Sequence, residues 1–205
     1  MSHADFSGLN VSRETQDRLI RYRGLLEKWN PTINLVARST VADAWTRHFL
    51  DSAQLMDLCP AEAGHWVDLG SGGGFPGLVV AILAVEAAPQ MRVTLIESDQ
   101  RKTTFLRTVA RDLEITPAII TDRIEAVPPQ TADILSARAL APLPRLLEFA
   151  ARHLAPGGKA LLPKGATHMQ EISDALAKWR FDVQKYPSRT DPDAVILKIE
   201  GLSRV

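Results

Sequence analysis

The run Asp68-Leu69-Gly70-Ser71-Gly72-Gly73-Gly74-Phe75-Pro76-Gly77 constrains this chain more than any other stretch. Trp66-Val67 before it reads as the end of a buried strand, and Leu78-Val79-Val80-Ala81-Ile82-Leu83-Ala84 after it reads as a helix. A strand that turns through glycines into a helix is a ligand site of open α/β sheets. Glycine permits the tight turn and a close approach of a bound molecule to the main chain. The helix N-terminus adds unpaired N–H groups and a partial positive charge. Such a turn predicts a nucleotide-like ligand.

The flanking pattern agrees. Short β-rich runs at 66–69, 92–97, 117–121, 132–137, 158–162, 181–186 and 194–199 alternate with helical stretches near 76–87, 99–114, 142–154 and 167–179. Alternation of this kind predicts a mostly parallel sheet with helices on both faces. No helix fits between the last two runs, so they are expected to form an antiparallel hairpin at the sheet's end. Seven strands ending in this way are the arrangement of class I methyltransferases: α/β, Rossmann-like, mostly parallel. Upstream, residues 12–58 read as helical. Leu19, Tyr22, Leu25, Leu26 and Trp29 recur at helix spacing behind a Ser12-Arg13-Glu14-Thr15-Gln16 start, and Pro31 is expected to interrupt them. A second stretch from about Val41 to Leu58 places Ala44, Trp45, His48, Phe49, Ser52 and Leu55 on one face. Residues 59–64 are the linker, dividing a helical N-terminal segment (1–60) from the sheet domain (61–205).

Composition removes several classes of function. The 24 basic and 24 acidic residues cancel, so any hold on nucleic acid must come from local patches. The single Cys59 excludes an internal disulfide framework and a cysteine-based zinc site. No apolar run approaches the roughly 18 residues of a spanning helix. The polar start Met1-Ser2-His3-Ala4-Asp5 lacks the features of a signal peptide. A cytoplasmic location is the expectation.

Two cofactors compete for the glycine turn. Residues 72–77 literally satisfy G-x-G-x-x-G, the dinucleotide fingerprint. Read two residues earlier, Asp68-x-Gly70-x-Gly72-x-Gly74 resembles the first motif of S-adenosylmethionine (SAM) binders. An acid there suits a cationic sulfonium and amino acid, and would repel a pyrophosphate. SAM is therefore preferred to NAD. Glu97, about 20 residues on at the next strand's end, is placed to accept hydrogen bonds from adenosine ribose hydroxyls, which both cofactors carry. Asp122-Arg123-Ile124-Glu125 follows the third strand, where such folds meet adenine; an ordinary loop is the alternative. Pro76 fits a first helical turn. Phe75 is either core or a wall of the pocket.

The remaining residues narrow the chemistry. Gly157-Gly158-Lys159-Ala160 is no Walker A loop, and His48, His65, His153 and His168 are too scattered to hold a metal. Cys59 lies in the linker, away from the strand ends. The fourth strand ends in Ser136-Ala137-Arg138-Ala139-Leu140. Amino-group methyltransferases of nucleic acids place an Asn/Asp-Pro-Pro-aromatic run at this point, and cytosine-C5 enzymes a Pro-Cys; this chain has neither. It therefore suits an acceptor with a free lone pair, such as guanine N7, for which positioning is the main contribution. Arg138 is a candidate for a phosphate or for the cofactor carboxylate, against the plainer reading of an exposed strand-end arginine. With Arg145 and Lys164 it lies near strand ends. Arg101 and Lys102 open the following helix, while Arg107 and Arg111 read as a solvated face.

In order along the chain stand Asn34-Leu35, Arg47-His48-Phe49-Leu50-Asp51-Ser52, the loop 68–77, Ser136-Ala137-Arg138-Ala139 and Lys164-Gly165. Together they resemble the ribosomal small-subunit methyltransferase G family, also called glucose-inhibited division protein B, from about residue 15 to 199. The resemblance implies SAM-dependent N7 methylation of one guanine in a loop of 16S ribosomal RNA, with the RNA or the 30S subunit as partner and a monomeric enzyme. It implies cofactor contacts at Gly70, Phe75, Ile124, Glu125 and Arg138, beside Asp68, Gly72 and Glu97 from the residues themselves. It also implies RNA placement by Arg47, His48, Arg138 and Lys164, with no metal. Glu97 stands where the family often has Asp, and Pro163 where it has leucine or a similar residue. A rival reading pairs Arg47 with Asp51 at i, i+4 and makes His48 an interface residue, so that these side chains brace the helical segment. An NAD-dependent oxidoreductase and a non-enzymatic RNA-binding module on the same fold are the alternative functions.

Overall fold

A computed structural model describes residues 9–205; residues 1–8, with the polar start read above, lie outside the described residues. Helix α1 (Arg13–Ile33) opens on Ser12, whose hydroxyl accepts the Thr15 N–H at 3.2 Å. Its buried stripe is Thr15, Leu19, Tyr22, Leu26, Asn30 and Ile33, a helical 3–4 spacing. The break expected at Pro31 does not occur. The helix carries Pro31 and ends at Asn34, which takes the left-handed conformation (φ 50°) and donates its N–H to Asn30 O at 3.0 Å. Proline removes one hydrogen bond here but lies in the last turn. The buried Asn30 also secures the exit, its side-chain oxygen accepting the Val36 N–H at 2.9 Å.

The second helical stretch is not one regular helix. A π-helical turn (Trp45–Leu50) leads into a short α2 (Asp51–Ala53) and a 3₁₀ turn (Gln54–Leu58). The six residues expected on one face are all buried: Ala44, Trp45, His48, Phe49, Ser52 and Leu55.

All seven expected strands are present: β1 (His65–Leu69), β2 (Arg92–Glu97), β3 (Ala118–Thr121), β4 (Ala132–Ala137), β5 (Leu154–Lys164), β6 (Trp179–Pro187) and β7 (Val195–Arg204). They form one sheet in the order β3-β2-β1-β4-β5-β7-β6. β1 to β5 are parallel, whereas β7 runs antiparallel to both β5 and β6. The chain builds outward from β1 to β3, then returns to place β4 on the other side of β1. The ends of β1 and β4 therefore flank the topological switch point, where open sheets bind ligands.

Side chains alternate between the faces, and each face has its own core. Trp66, Val93, Leu95 and Ile134 meet α1, the second helical stretch, α3 (Gly77–Ala87) and α4 (Gln100–Asp112). Val67, Leu69, Ile96 and Leu135 meet α5 (Leu143–His153) and α6 (His168–Leu176). Helix α3 is apolar all round because it lies between the sheet and the N-terminal helices; residues 78–84 are all buried. The first core is continuous across residue 60. Among the described residues no helix is long and apolar enough to cross a membrane, and no group of three His, Cys, Asp or Glu could hold a metal.

Candidate active site

The glycine turn is held from behind. Asp68 is fully buried, accepting Ser136 Oγ at 2.7 Å on one oxygen and the Gly77 N–H at 3.2 Å on the other. Ser136 Oγ in turn accepts Trp66 Nε1 at 2.8 Å. β1, β4 and the start of α3 are thereby tied to one carboxylate. Burial raises its pKa from 3.8 to about 6, against the opposing pull of the Ser136, Ser71 and Gly77 hydrogen bonds and of Arg138. Asp68 was expected to face a cationic cofactor; it turns inward and is absent from the crevice wall. Gly77 lets it do so, because a Cβ there would overlap Leu95 and crowd the Asp68 carboxylate.

Gly70, Gly72 and Gly74 take φ of 63°, 55° and 94°. The Gly70 N–H reaches Ile96 O at 2.8 Å, and Gly74 N–H reaches Ser71 O at 2.7 Å. Glu97 is no solvated strand-end acid. Its two oxygens accept the Gly72 and Asp99 N–H groups at 2.9 Å each, which locks the turn to the end of β2. Phe75 is both core and wall. Its ring stacks on Tyr22 at 5.3 Å, meets Phe49 edge-on at 5.2 Å and lies 5.2 Å from the Arg138 guanidinium, while Phe75 also lines the crevice.

The crevice beside the turn has a volume of about 790 Å³, within the usual range for a small-molecule site. Gly70, Gly72, Phe75, Arg138, Lys164, Arg47 and His48 line it; Asp68, Glu97, Ile124 and Glu125 do not. Ile124 packs into the second core and its carbonyl accepts His153 Nε2 at 3.0 Å. Glu125 is exposed and pairs with Arg145.

Arg138 is not the plain exposed arginine. Its guanidinium donates to Arg47 O at 2.9 Å, to Asp51 at 3.1 Å and to His48 Nδ1 at 3.0 Å. The partners of His48 fix its tautomer. Thr40 Oγ1 donates to Ala37 O at 2.8 Å, so it receives the proton of His48 Nε2, also at 2.8 Å, and Nδ1 is left as the acceptor for Arg138. Burial, with Arg138 and Arg47 nearby, lowers the His48 pKa from 6.5 to about 4. The expected Arg47–Asp51 pair is absent. In the wider π-helical turn residues four apart no longer stack. Arg47 pairs instead with Asp191 at 3.2 Å, across the β6–β7 connection, and Asp51 with Arg138. The second Asp51 oxygen accepts Gln54 and Thr190, each at 3.0 Å. His48 and Asp51 of the helical segment thus both meet Arg138 at the end of β4.

Lys164 lines the crevice with its ammonium already engaged, by Ala141 O at 2.9 Å and Glu171 at 2.7 Å. The same Glu171 oxygen accepts the Leu143 N–H at 2.7 Å, at the start of α5. Pro163 sits in the β5–β7 ladder opposite Ile196 and leaves Lys164 in register. Sequence reasoning missed Glu171, Thr40, Thr190 and Tyr22; Thr190 and Tyr22 have partners 139 and 51 residues away, whereas Thr40 meets His48 and Glu171 meets Lys164 across short stretches of chain. Tyr22 alone carried a signal, as a polar-tipped aromatic in an apolar stripe.

A seven-stranded sheet with an antiparallel β7, and a glycine turn at its β1–β4 switch point, defines a class I SAM-dependent methyltransferase; dinucleotide sheets of order 3-2-1-4-5-6 are parallel. Solved structures agree on the fold. An O-methyltransferase from Bacillus cereus in complex with SAH superposes with a TM-score of 0.59 at 13% identity, covering 94% of this chain and 92% of that one. A SAM-dependent methyltransferase from Aquifex aeolicus does so with a TM-score of 0.57 at 13% identity, covering 77% and 92%. The family model of rRNA small subunit methyltransferase G matches residues 15–194. A ribosomal RNA small subunit methyltransferase G of Cereibacter sphaeroides is 52% identical over 205 residues, all of both chains. One from a Ruegeria species is 53% identical over 197 residues, 96% of each. The chain belongs to the rRNA small subunit methyltransferase G family.

Proposed function

We propose that this protein transfers the methyl group of SAM to N7 of a guanine in the 16S ribosomal RNA of the small subunit. The glycine turn fits the donor: at Gly70 a side chain would meet Leu140 and project at the crevice wall, and at Gly72 the positive φ disfavours one. Gly70, Gly72, Phe75 and Arg138 are the residues that would hold it, with Glu97 fixing the turn behind them and Asp68 fixing the strand. SAM supplies an electrophilic methyl on a sulfonium; the acceptor's lone pair forms the new bond and S-adenosylhomocysteine leaves.

The observation that carries the choice of acceptor is the state of His48. It is the one imidazole lining the crevice among the described residues, and both ring nitrogens are already committed, to Arg138 and to Thr40. A base so held does not take a proton from an amino group. Guanine N7 has no proton to lose, and what it needs is alignment with the methyl. Arg138, Arg47 and the remaining N–H of Lys164 are the candidates for RNA phosphate. We place this activity in a monomer in the cytoplasm, with the helical segment (1–60) contributing Arg47 and His48 to the SAM domain (61–205).

Labelled SAM incubated with unmethylated 16S RNA and with 30S subunits tests the proposal. Label at N7 of one guanine in either substrate is the expected result. Label on another atom would move the acceptor, and RNA binding without transfer would favour a non-enzymatic module.

A further inference from the structure

Tyr22 lies outside the crevice, fully buried on α1, yet its hydroxyl donates to the carbonyl of Gly73 in the glycine turn. Gly74 N–H is held on the other side by Ser71 O at 2.7 Å. The Gly73–Gly74 peptide is therefore pinned at both its polar atoms. The fit behind it is close: a Cβ on Gly74 would collide with the Tyr22 hydroxyl, and one on Gly73 would lie 3.1 Å from Leu35 O. The Tyr22 ring stacks nearly parallel on Phe75, with an interplanar angle of 17°. Burial pushes the phenol well above its usual pKa, so it stays a donor.

The helix that carries Tyr22 is itself clamped. At its start, Thr15 Oγ1 donates to Glu86 at 2.8 Å, at the end of α3. Further on, Arg18 donates to Leu113 O at 3.2 Å, and Arg21 bonds Asp112, both at the end of α4. Tyr22 is a strut between a fixed helix and the Gly73–Gly74 peptide, which has no side chains of its own to hold it.

We propose that Tyr22 is a positioning residue for the methyl donor: it sets the peptide plane of the turn from behind, so the N-terminal helix governs affinity for SAM. This rests on the methyltransferase reading above. Tyr22→Phe keeps the ring and removes only the hydroxyl. Titration calorimetry with SAM is expected to show Kd raised about five- to tenfold, the value of one buried hydrogen bond. KM for SAM rises in parallel, while kcat at saturating SAM and KM for RNA stay within about twofold of the parent. Leu19→Ala, or Leu19→Val if the alanine variant does not fold, is the control. Leu19 is in the same stripe but is not bonded to the turn, so this variant lowers Tm and leaves Kd for SAM unchanged. SAM affinity unaltered in Tyr22→Phe, or weakened as much by the Leu19 variant, overturns the role of Tyr22. Failure of the unaltered protein to bind SAM overturns the methyltransferase reading instead.

Discussion

The two walls of the crevice are built on different principles. The glycine-turn wall is backbone, held by main-chain N–H groups on Asp68, Glu97 and Ile96 O, and by Tyr22 from behind. The facing wall is side chain, a chain of charged and polar contacts running from Asp191 and Arg47 through His48, Asp51 and Arg138, with Lys164 and Glu171 as a second knot. A wall of backbone fails when its shape is changed. A wall of charges fails when a partner is removed or its protonation changes. The walls are expected to respond to different insults.

The largest effect is expected at Gly70. Its φ of 63° is strained for any β-branched residue, and a Cβ would press on Leu140. Gly70→Val should cost about 3 kcal/mol of stability and weaken SAM binding by about a hundredfold or more. Thermal melts and calorimetry measure both. A folded variant that binds SAM as the parent does would mean that the turn is not the donor's seat.

Next comes Arg138→Ala. It strips one partner from His48 Nδ1 and from Asp51, but Asp51 keeps Thr190 and Gln54. The stability loss should stay near 1–2 kcal/mol, while methylation falls by about a hundredfold as alignment is lost. Arg138→Lys should recover little, because an ammonium cannot replace a planar fork that serves three acceptors. Equal losses in rate and stability would return Arg138 to a purely structural part.

The same distinction explains what could be read in the sequence. The glycine-turn wall is local: Asp68, Gly70 and Gly72 stand within one turn, and Glu97 follows after one helix, so pattern and spacing reach them. The strand runs were legible for the same reason, since each is a short stretch of uniform chemistry. The charged wall joins residues 87 to 144 positions apart, Arg138 with Asp51 and Arg47 with Asp191. Local rules predicted Arg47 with Asp51, and the π-helical turn at 45–50 cancelled that pairing. Pro31 misled similarly: a local rule for breaking helices was overridden by the buried Asn30 and Ile33 on either side of it. Lys164, which the resemblance assigned to RNA placement, pairs with Glu171 in the first turn of α6. Ile124 and Glu125 were placed by analogy with other folds, and the structure puts them beside the second core and Arg145.

The gentlest test uses pH, with the contribution of the charged wall isolated by difference. His48 has a folded pKa of about 4 against 6.5 when free, because it is buried and faces Arg138 and Arg47, with Asp43 pulling weakly the other way. Below pH 6.5 the unfolded chain takes up a proton that the folded protein refuses, so the contribution of neutral His48 to stability is present above 6.5 and is lost as pH falls towards 4. Asp68 works in the opposite sense: its carboxyl, raised to about 6, makes folding easier as pH drops through that value. The two partly cancel in the intact protein, so the measurement has to be a difference. Urea unfolding of the protein and of His48→Gln at matched pH removes the Asp68 effect, which both share. The protein should lose ground to the variant by about 1 kcal/mol at pH 5.5, approaching a limit of about 3 kcal/mol below pH 4. A difference that stays flat across this range would show that His48 is not held neutral between Arg138 and Thr40, and the contrast between a wall of shape and a wall of charge would lose its clearest member.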